Sequence, residues 1–173
     1  SLDETTKSEV EAMVAGGMTR PGLTVILVGD DPASDVYVSH KVTACARVGI
    51  RSTEHRLPAE TSEDELLGLI ARLNASEHVH GILCQVPLPG HIDARKVLEA
   101  IDPAKDVDGF HPVNIGRMMI GDCLFPPCTP AGIMEMLQRS GTPTQGAEAV
   151  VVGRSNIVGK PIAMMLMQKN PHA

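Results

Sequence analysis

Tyr37 and Lys41 are the residues to weigh first. They lie in Asp30-Asp31-Pro32-Ala33-Ser34-Asp35-Val36-Tyr37-Val38-Ser39-His40-Lys41, and Tyr37 is the only tyrosine of a chain without tryptophan. The spacing of four puts ring and amine on one face of a helix. An aromatic and a cation one turn apart, just past an apolar run of strand length, sit where α/β proteins place their chemistry. Three further positions join them. Gln85, near the end of a second apolar run, must find hydrogen-bond partners; it reads as an amide held by loop backbone or as a group that orients a lysine or a substrate. Asp108, in Lys105-Asp106-Val107-Asp108-Gly109-Phe110, reads as a turn aspartate or as a ligand contact. Gly153-Arg154-Ser155-Asn156-Ile157-Val158-Gly159-Lys160-Pro161 stands between strand and helix patterns, where backbone amides and a helix N-terminus attract phosphate.

That last stretch fails two stricter tests. As a P-loop it has one residue too many between its glycines, and Pro161 replaces the magnesium-binding hydroxyl. As GxGxxG it has Ser155 where the second glycine should be. An ordinary glycine-rich turn or a variant dinucleotide loop remains, the latter with Arg154 able to meet a 2′-phosphate. The Tyr-x-x-x-Lys spacing also occurs in short-chain dehydrogenases, but there the glycine-rich loop precedes the pair, and here it follows.

Composition narrows the classes. A net charge of −6 argues against nucleic acid, which wants a basic footprint. No run is long and apolar enough to cross a membrane, and no secretory signal stands at the start. The cysteines Cys45, Cys84, Cys123 and Cys128 form no CxxC, and the histidines lack metal-ligand spacing, so no metal site is expected. Reduced thiols fit a cytoplasmic or mitochondrial-matrix protein. Aromatics are 2% of residues, so aliphatic side chains and nine methionines must fill the core.

The elements that position these residues follow from periodicity. Residues 3–15 pattern as an amphipathic helix stopped by Gly16-Gly17. Leu23–Val28 is a continuous apolar run, as in a parallel strand covered on both faces. Asp31 and Pro32 supply an N-cap and first residue for a helix reaching Val48, with Gly49 as its stop. Strands are expected over Ser52–Leu57 and His80–Val86, with helices from Ser62 to Asn74 and from Asp93 to Ile101 between and after them. This alternation predicts a parallel α/β sheet. From Asp102 to Pro130 the pattern is irregular and turn-rich. Thr129 is then expected to cap a helix over 130–139. Glu148–Val152 reads as a strand, and Gly159 onward as a helix to Asn170.

Taken in order, these stretches resemble one family, the bifunctional methylenetetrahydrofolate dehydrogenase/cyclohydrolases. Carrying the resemblance are Val28 to Ser34 with Tyr37 and Lys41, Gln85-Val86-Pro87-Leu88-Pro89, and Lys105 to Pro112. Pro127-Cys128-Thr129-Pro130-Ala131-Gly132 and Val152 to Pro161 complete it. The resemblance implies an α/β fold: a three-layer α/β/α folate-side domain with a mainly parallel sheet over 1–128, a connecting helix over 129–140, and over 141–173 the start of a Rossmann-like dinucleotide-binding domain. Family members run on well past this point, so the chain resembles a folate-side domain with the first β–α unit of its neighbour.

By the same resemblance, the reaction oxidises 5,10-methylenetetrahydrofolate to the methenyl form with NADP or NAD, then hydrolyses that cation to 10-formyltetrahydrofolate. Tyr37 would stack on the aminobenzoyl ring and Lys41 be essential to catalysis. Gln85 would hold Lys41 and folate, with Cys84 and Val86 beside it, and Asp108 would bond the pterin. Gly153, Arg154 and Ser155 would form the nucleotide turn, bordered by Thr129. A homodimer is implied. Lys41 could act as a neutral base or as a cation that polarises the substrate, and both roles stay open here. The competing class is a non-catalytic folate- or nucleotide-binding module, against which the retained lysine argues, since binding alone does not require it.

Overall fold

The computed structural model describes residues 1–168. The chain divides into two compact units, Ser1–Lys105 and the residues from Asp106 onward.

The first unit runs α1 (Leu2–Ala15), β1 (Gly22–Val28), α2 (Pro32–Val48), β2 (Arg51–Leu57), α3 (Glu63–Ala75), β3 (Gly81–Cys84) and α4 (Ala94–Ala100). Its three strands form a parallel sheet in the order β2-β1-β3. The register pairs Val28 with Leu57 and Ile26 with Cys84, so all three strands finish at one edge. The central strand β1 is buried almost throughout, whereas β2, at the sheet's border, is exposed or half-buried along its length.

Alternation along the strands divides two layers. Ile26 and Val28 of β1, with Ile82 and Cys84 of β3, pack against Leu66, Leu69, Ile70 and Leu73 of α3 and Val97 of α4. Val25 and Leu27 point the opposite way, and α2 packs along β1 and β2 with α1 against it. The result is helix–sheet–helix, as expected. The local signals act as read. Asp31 accepts from the Ser34 amide at 2.8 Å, Pro32 opens α2, and Gly49 closes it. A reciprocal Ser62–Glu65 capping box opens α3. At the other end of α3, Lys105 Nζ donates to the carbonyls of Leu73, Asn74 and Ser76 at 3.2, 2.7 and 2.8 Å, a cation on the carbonyl end of a helix. Strand β3 is shorter than the expected His80–Val86, because Pro87 and Pro89 end the ladder early.

The second unit holds α5 (Pro112–Met119), α6 (Cys128–Arg139) and α7 (Gly159–Leu166). Its core is built on methionine, with Met118, Met134 and Met165 around Ile162. Three expectations are corrected here. The irregular stretch after Asp102 contains α5, whose inward positions Asn114 and Met118 lie one turn apart. Thr129 lies inside α6; the N-cap is Pro127, without a side-chain cap bond. Residues 148–152 are not in a strand. Only Val151 of them is packed on the methionine core, Val150 and Val152 are almost fully exposed, and no described strand lies beside them to complete a ladder. The expected helix end at Asn170 lies outside the described residues. Among the described residues, no helix is long and apolar enough to cross a membrane.

Candidate active site

Parallel strands bring their carboxyl ends together, and two side chains meet there. Gln85 follows β3 directly, and its amide donates to Ile26 O at 2.9 Å, extending the ladder by one residue. Since Cys84 faces the α3–α4 core, Gln85 must face the opposite side, where α2 lies. Lys41 comes down from α2 at the border of its buried stripe of Ser34, Val38, Cys45 and Val48. Lys41 Nζ donates to Gln85 Oε1 at 3.0 Å. Gln85 Nε2 in turn donates to Val86 O at 2.8 Å. That second bond fixes the orientation of the amide: with its nitrogen held by a carbonyl, only its oxygen can face the lysine.

Tyr37 stands one turn before Lys41 on α2, with 62% of its surface exposed. A ring so exposed on a helix face offers a flat apolar platform beside the lysine. Its helix is braced at the first turn by Asp35, which pairs with Arg56 of β2; Arg56 also bonds Glu54 at 2.6 Å. Cys84 is buried in the α3–α4 core cluster, which leaves its main chain as the part nearest Gln85. The Cys45 thiol, also buried, is pushed above the usual thiol range by burial. The Asp31 carboxyl, which caps the helix carrying Tyr37 and Lys41, is held below its ordinary value by the Ser34 amide.

The remaining expected site residues belong to the second unit. Asp108 is half-buried in the turn closed by Gly109 N on Asp106 O at 3.3 Å. Gly109 has φ +66°, and a Cβ there would sit 2.5 Å from Phe125 O, so the turn is pressed onto the segment leading to α6. Cys128 Sγ lies 3.5 Å from Val107 O in the same contact, and Thr129 is exposed one residue further on. Gly153, Arg154 and Ser155 precede α7 and are exposed. Ser155 Oγ accepts from the amides of Val158 and Gly159, both at 3.1 Å, and so shapes the turn itself. A Cβ on Gly159 would lie 2.6 Å from Gly153 C, so the helix can start against this turn only with glycine there. Sequence reasoning missed the buried Asp106, whose type and spacing are indistinguishable from those of Asp108.

This arrangement defines an α/β protein with a lysine–glutamine pair at the carboxyl edge of a parallel sheet, the edge where such folds bind ligands, followed by a glycine-rich turn at a helix start. Residues 1–108 match the family model described as tetrahydrofolate dehydrogenase/cyclohydrolase, catalytic domain, and residues 127–173 match its NAD(P)-binding domain. The chain belongs to the tetrahydrofolate dehydrogenase/cyclohydrolase family. It is 61% identical over 169 residues to bifunctional protein FolD 2 of Rhizorhabdus wittichii, covering 98% of this chain and 57% of that protein. The crystal structure of FolD from Campylobacter jejuni superposes with TM-score 0.91 at 45% identity, over 95% of this chain and 58% of that one. The Trypanosoma brucei enzyme, complexed with NADP cofactor and an inhibitor, gives TM-score 0.90 at 37% identity, over 95% and 56%. The chain therefore spans little more than half the length of the relatives it matches.

Proposed function

We propose that this chain supplies the folate side of a bifunctional enzyme. That enzyme oxidises 5,10-methylenetetrahydrofolate with NADP, or NAD, and hydrolyses the methenyl product to 10-formyltetrahydrofolate. The observation that carries the reading is the chain of bonds Lys41–Gln85–Val86 at the carboxyl edge of the sheet, beside exposed Tyr37, in a member of this family. In the same reading, 1–128 is the folate domain, 129–140 the connecting helix and 141–173 the opening of the nucleotide domain. The enzyme is a homodimer of the cytoplasm or mitochondrial matrix. The four free thiols suit a reducing compartment.

Each residue has a task in this chemistry. Tyr37 offers its ring face to the aminobenzoyl group, and the main chain at Cys84 and Val86 borders the folate. Asp108 accepts hydrogen bonds from the pterin. In the oxidation, the nitrogen lone pairs beside the methylene carbon expel the hydride, so no strong base is needed and positioning is the main contribution. In the hydrolysis, water adds to an amidinium-like carbon and a proton must move. Lys41, held by Gln85, is the group placed to move it or to stabilise the charge.

The nucleotide turn suits a phosphorylated cofactor by its exposed guanidinium at Arg154. Bound NADP would accept the hydride leaving the methylene carbon. Ser155 and Gly159 hold the turn in shape, Arg154 meets the 2′-phosphate, and Thr129 borders the cofactor.

The deciding experiment follows methenyl-folate absorbance, with each nucleotide, on the full-length enzyme and on residues 1–173. Formation of the methenyl form with NADP and its decay by hydrolysis are expected from the full-length enzyme. Folate binding without either reaction in both proteins would leave a binding module instead.

A further inference from the structure

We propose that Asp106 is a positioning residue that sets the place of Asp108, and through it the affinity for folate. The inference rests on the function proposed above. Asp106 is 3% exposed, and its Oδ2 accepts two hydrogen bonds, from His111 N at 2.8 Å and from Asn114 Nδ2 at 2.9 Å. Asn114 is itself buried, and His111 is the N-cap of α5, its ring Nδ1 accepting from Val113 N at 3.1 Å. The carbonyl of Asp106 accepts from Gly109 N. One residue thus closes the loop 106–111 twice, by main chain over Val107 and Asp108, and by side chain onto the start of the next helix.

A buried carboxylate is costly unless its hydrogen bonds are made. Here they are made by a backbone amide and a buried side-chain amide, at the end of α5 where the helix dipole favours negative charge. The side chains between the two closures are Val107 and Asp108, both half-buried, so the clamp orders a loop more than it fills a core. The other tether of that loop, Gly109 pressed on Phe125 O, restrains the backbone one residue after Asp108. Asp108 is therefore held from both sides, and Asp106 is the side with a removable functional group.

The test is a double-mutant cycle on the full-length enzyme, reading the Kd for tetrahydrofolate, which has no methenyl bridge to hydrolyse, and, separately, for NADP. Asp106→Ala is expected to weaken folate by about tenfold and to leave NADP unchanged, about the effect of misplacing one charged hydrogen bond. Asp106→Asn keeps an oxygen able to accept both bonds and is expected to restore affinity to within about threefold. In an Asp108→Ala background, Asp106→Ala should add less than about twofold, because coupled residues lose one interaction between them. Independent, additive losses overturn the proposal, as does equal loss of folate and NADP affinity. If Asp106→Ala does not fold, Asn114→Ala removes one of the two donors and replaces it in the same cycle. Wild-type enzyme that neither binds nor converts folate overturns the underlying function instead, and is seen before any variant is compared.

Discussion

Lys41 is held by a neutral amide, not by a carboxylate, and the magnitudes make that choice informative. A lysine loses about 2 kcal/mol of rotamer entropy when its side chain is fixed. A hydrogen bond between neutral groups contributes about 0.5–1.5 kcal/mol, and one to a charged group about 1.5–3 kcal/mol. The Lys41–Gln85 bond is therefore of the same scale as the entropy lost in ordering the side chain, and it places the amine without a counter-charge. Lys41→Met keeps the side chain out to Cε and removes the nitrogen. Cyclohydrolase turnover of the full-length enzyme is expected to fall by about a hundredfold or more, the usual scale of a lost acid–base group, with folate binding still measurable. Normal turnover in that variant would remove Lys41 from the mechanism. At the nucleotide turn, Arg154→Ala is expected to raise the KM for NADP about tenfold and to change that for NAD little, because only NADP carries the 2′-phosphate. Equal losses would mean that Arg154 does not meet that group. At this scale Gln85 was legible, since a glutamine ending a buried strand needs partners. Which of Asp106 and Asp108 is buried was not legible: two acids spaced by one residue look alike until the loop closes around one of them.

The elements show where local signals suffice. Helix α2 has its boundaries written into it, with Asp31-Pro32 at one end and Gly49 at the other, and forms from Pro32 to Val48. Helix α5 was hidden in a stretch read as irregular and turn-rich, although a proline in the first turn, as at Pro112, is a start signal. Residues 148–152 carry a strand's composition and lack a strand's neighbour among the described residues, and propensity alone does not make a ladder. The Asp31 cap gives a pH dependence with a definite sign. The fold lowers the carboxyl's pKa, so its contribution is complete above the ordinary aspartate value near ~3.9 and is lost as pH falls through the lower value of the folded state. Asp31→Asn keeps the capping oxygen and removes that titration. Its melting temperature is expected to fall less steeply with acid below pH ~4 than that of the parent, in parallel thermal melts across that range. Identical slopes would show that Asp31 does not contribute to acid sensitivity.

Over the whole molecule, two cores of different texture lie along one chain. The first is made of branched aliphatic residues between a sheet and its helices. The second is mainly methionine, unbranched and adaptable, between three short helices. The scarcity of aromatics foretold aliphatic and methionine filling, but not its separation into two kinds. Separation depends on which helices meet, and contacts between elements distant in the chain are not encoded in any local pattern.

The row Val150-Val151-Val152 bears on how this chain behaves in a tube. Val150 and Val152 are 89% and 97% exposed, in a short run of high β-propensity that carries no charge of its own. Such a row on separate copies can pair edge to edge, a route to oligomers and precipitate that has nothing to do with folate. Residues 1–173 should scatter light increasingly with concentration. Val150→Lys, a gatekeeper charge on the wet side of the row, should raise by severalfold the concentration at which the sample stays monodisperse. Unchanged scattering in that variant would place the stickiness elsewhere, and handling this chain would then call for a different remedy.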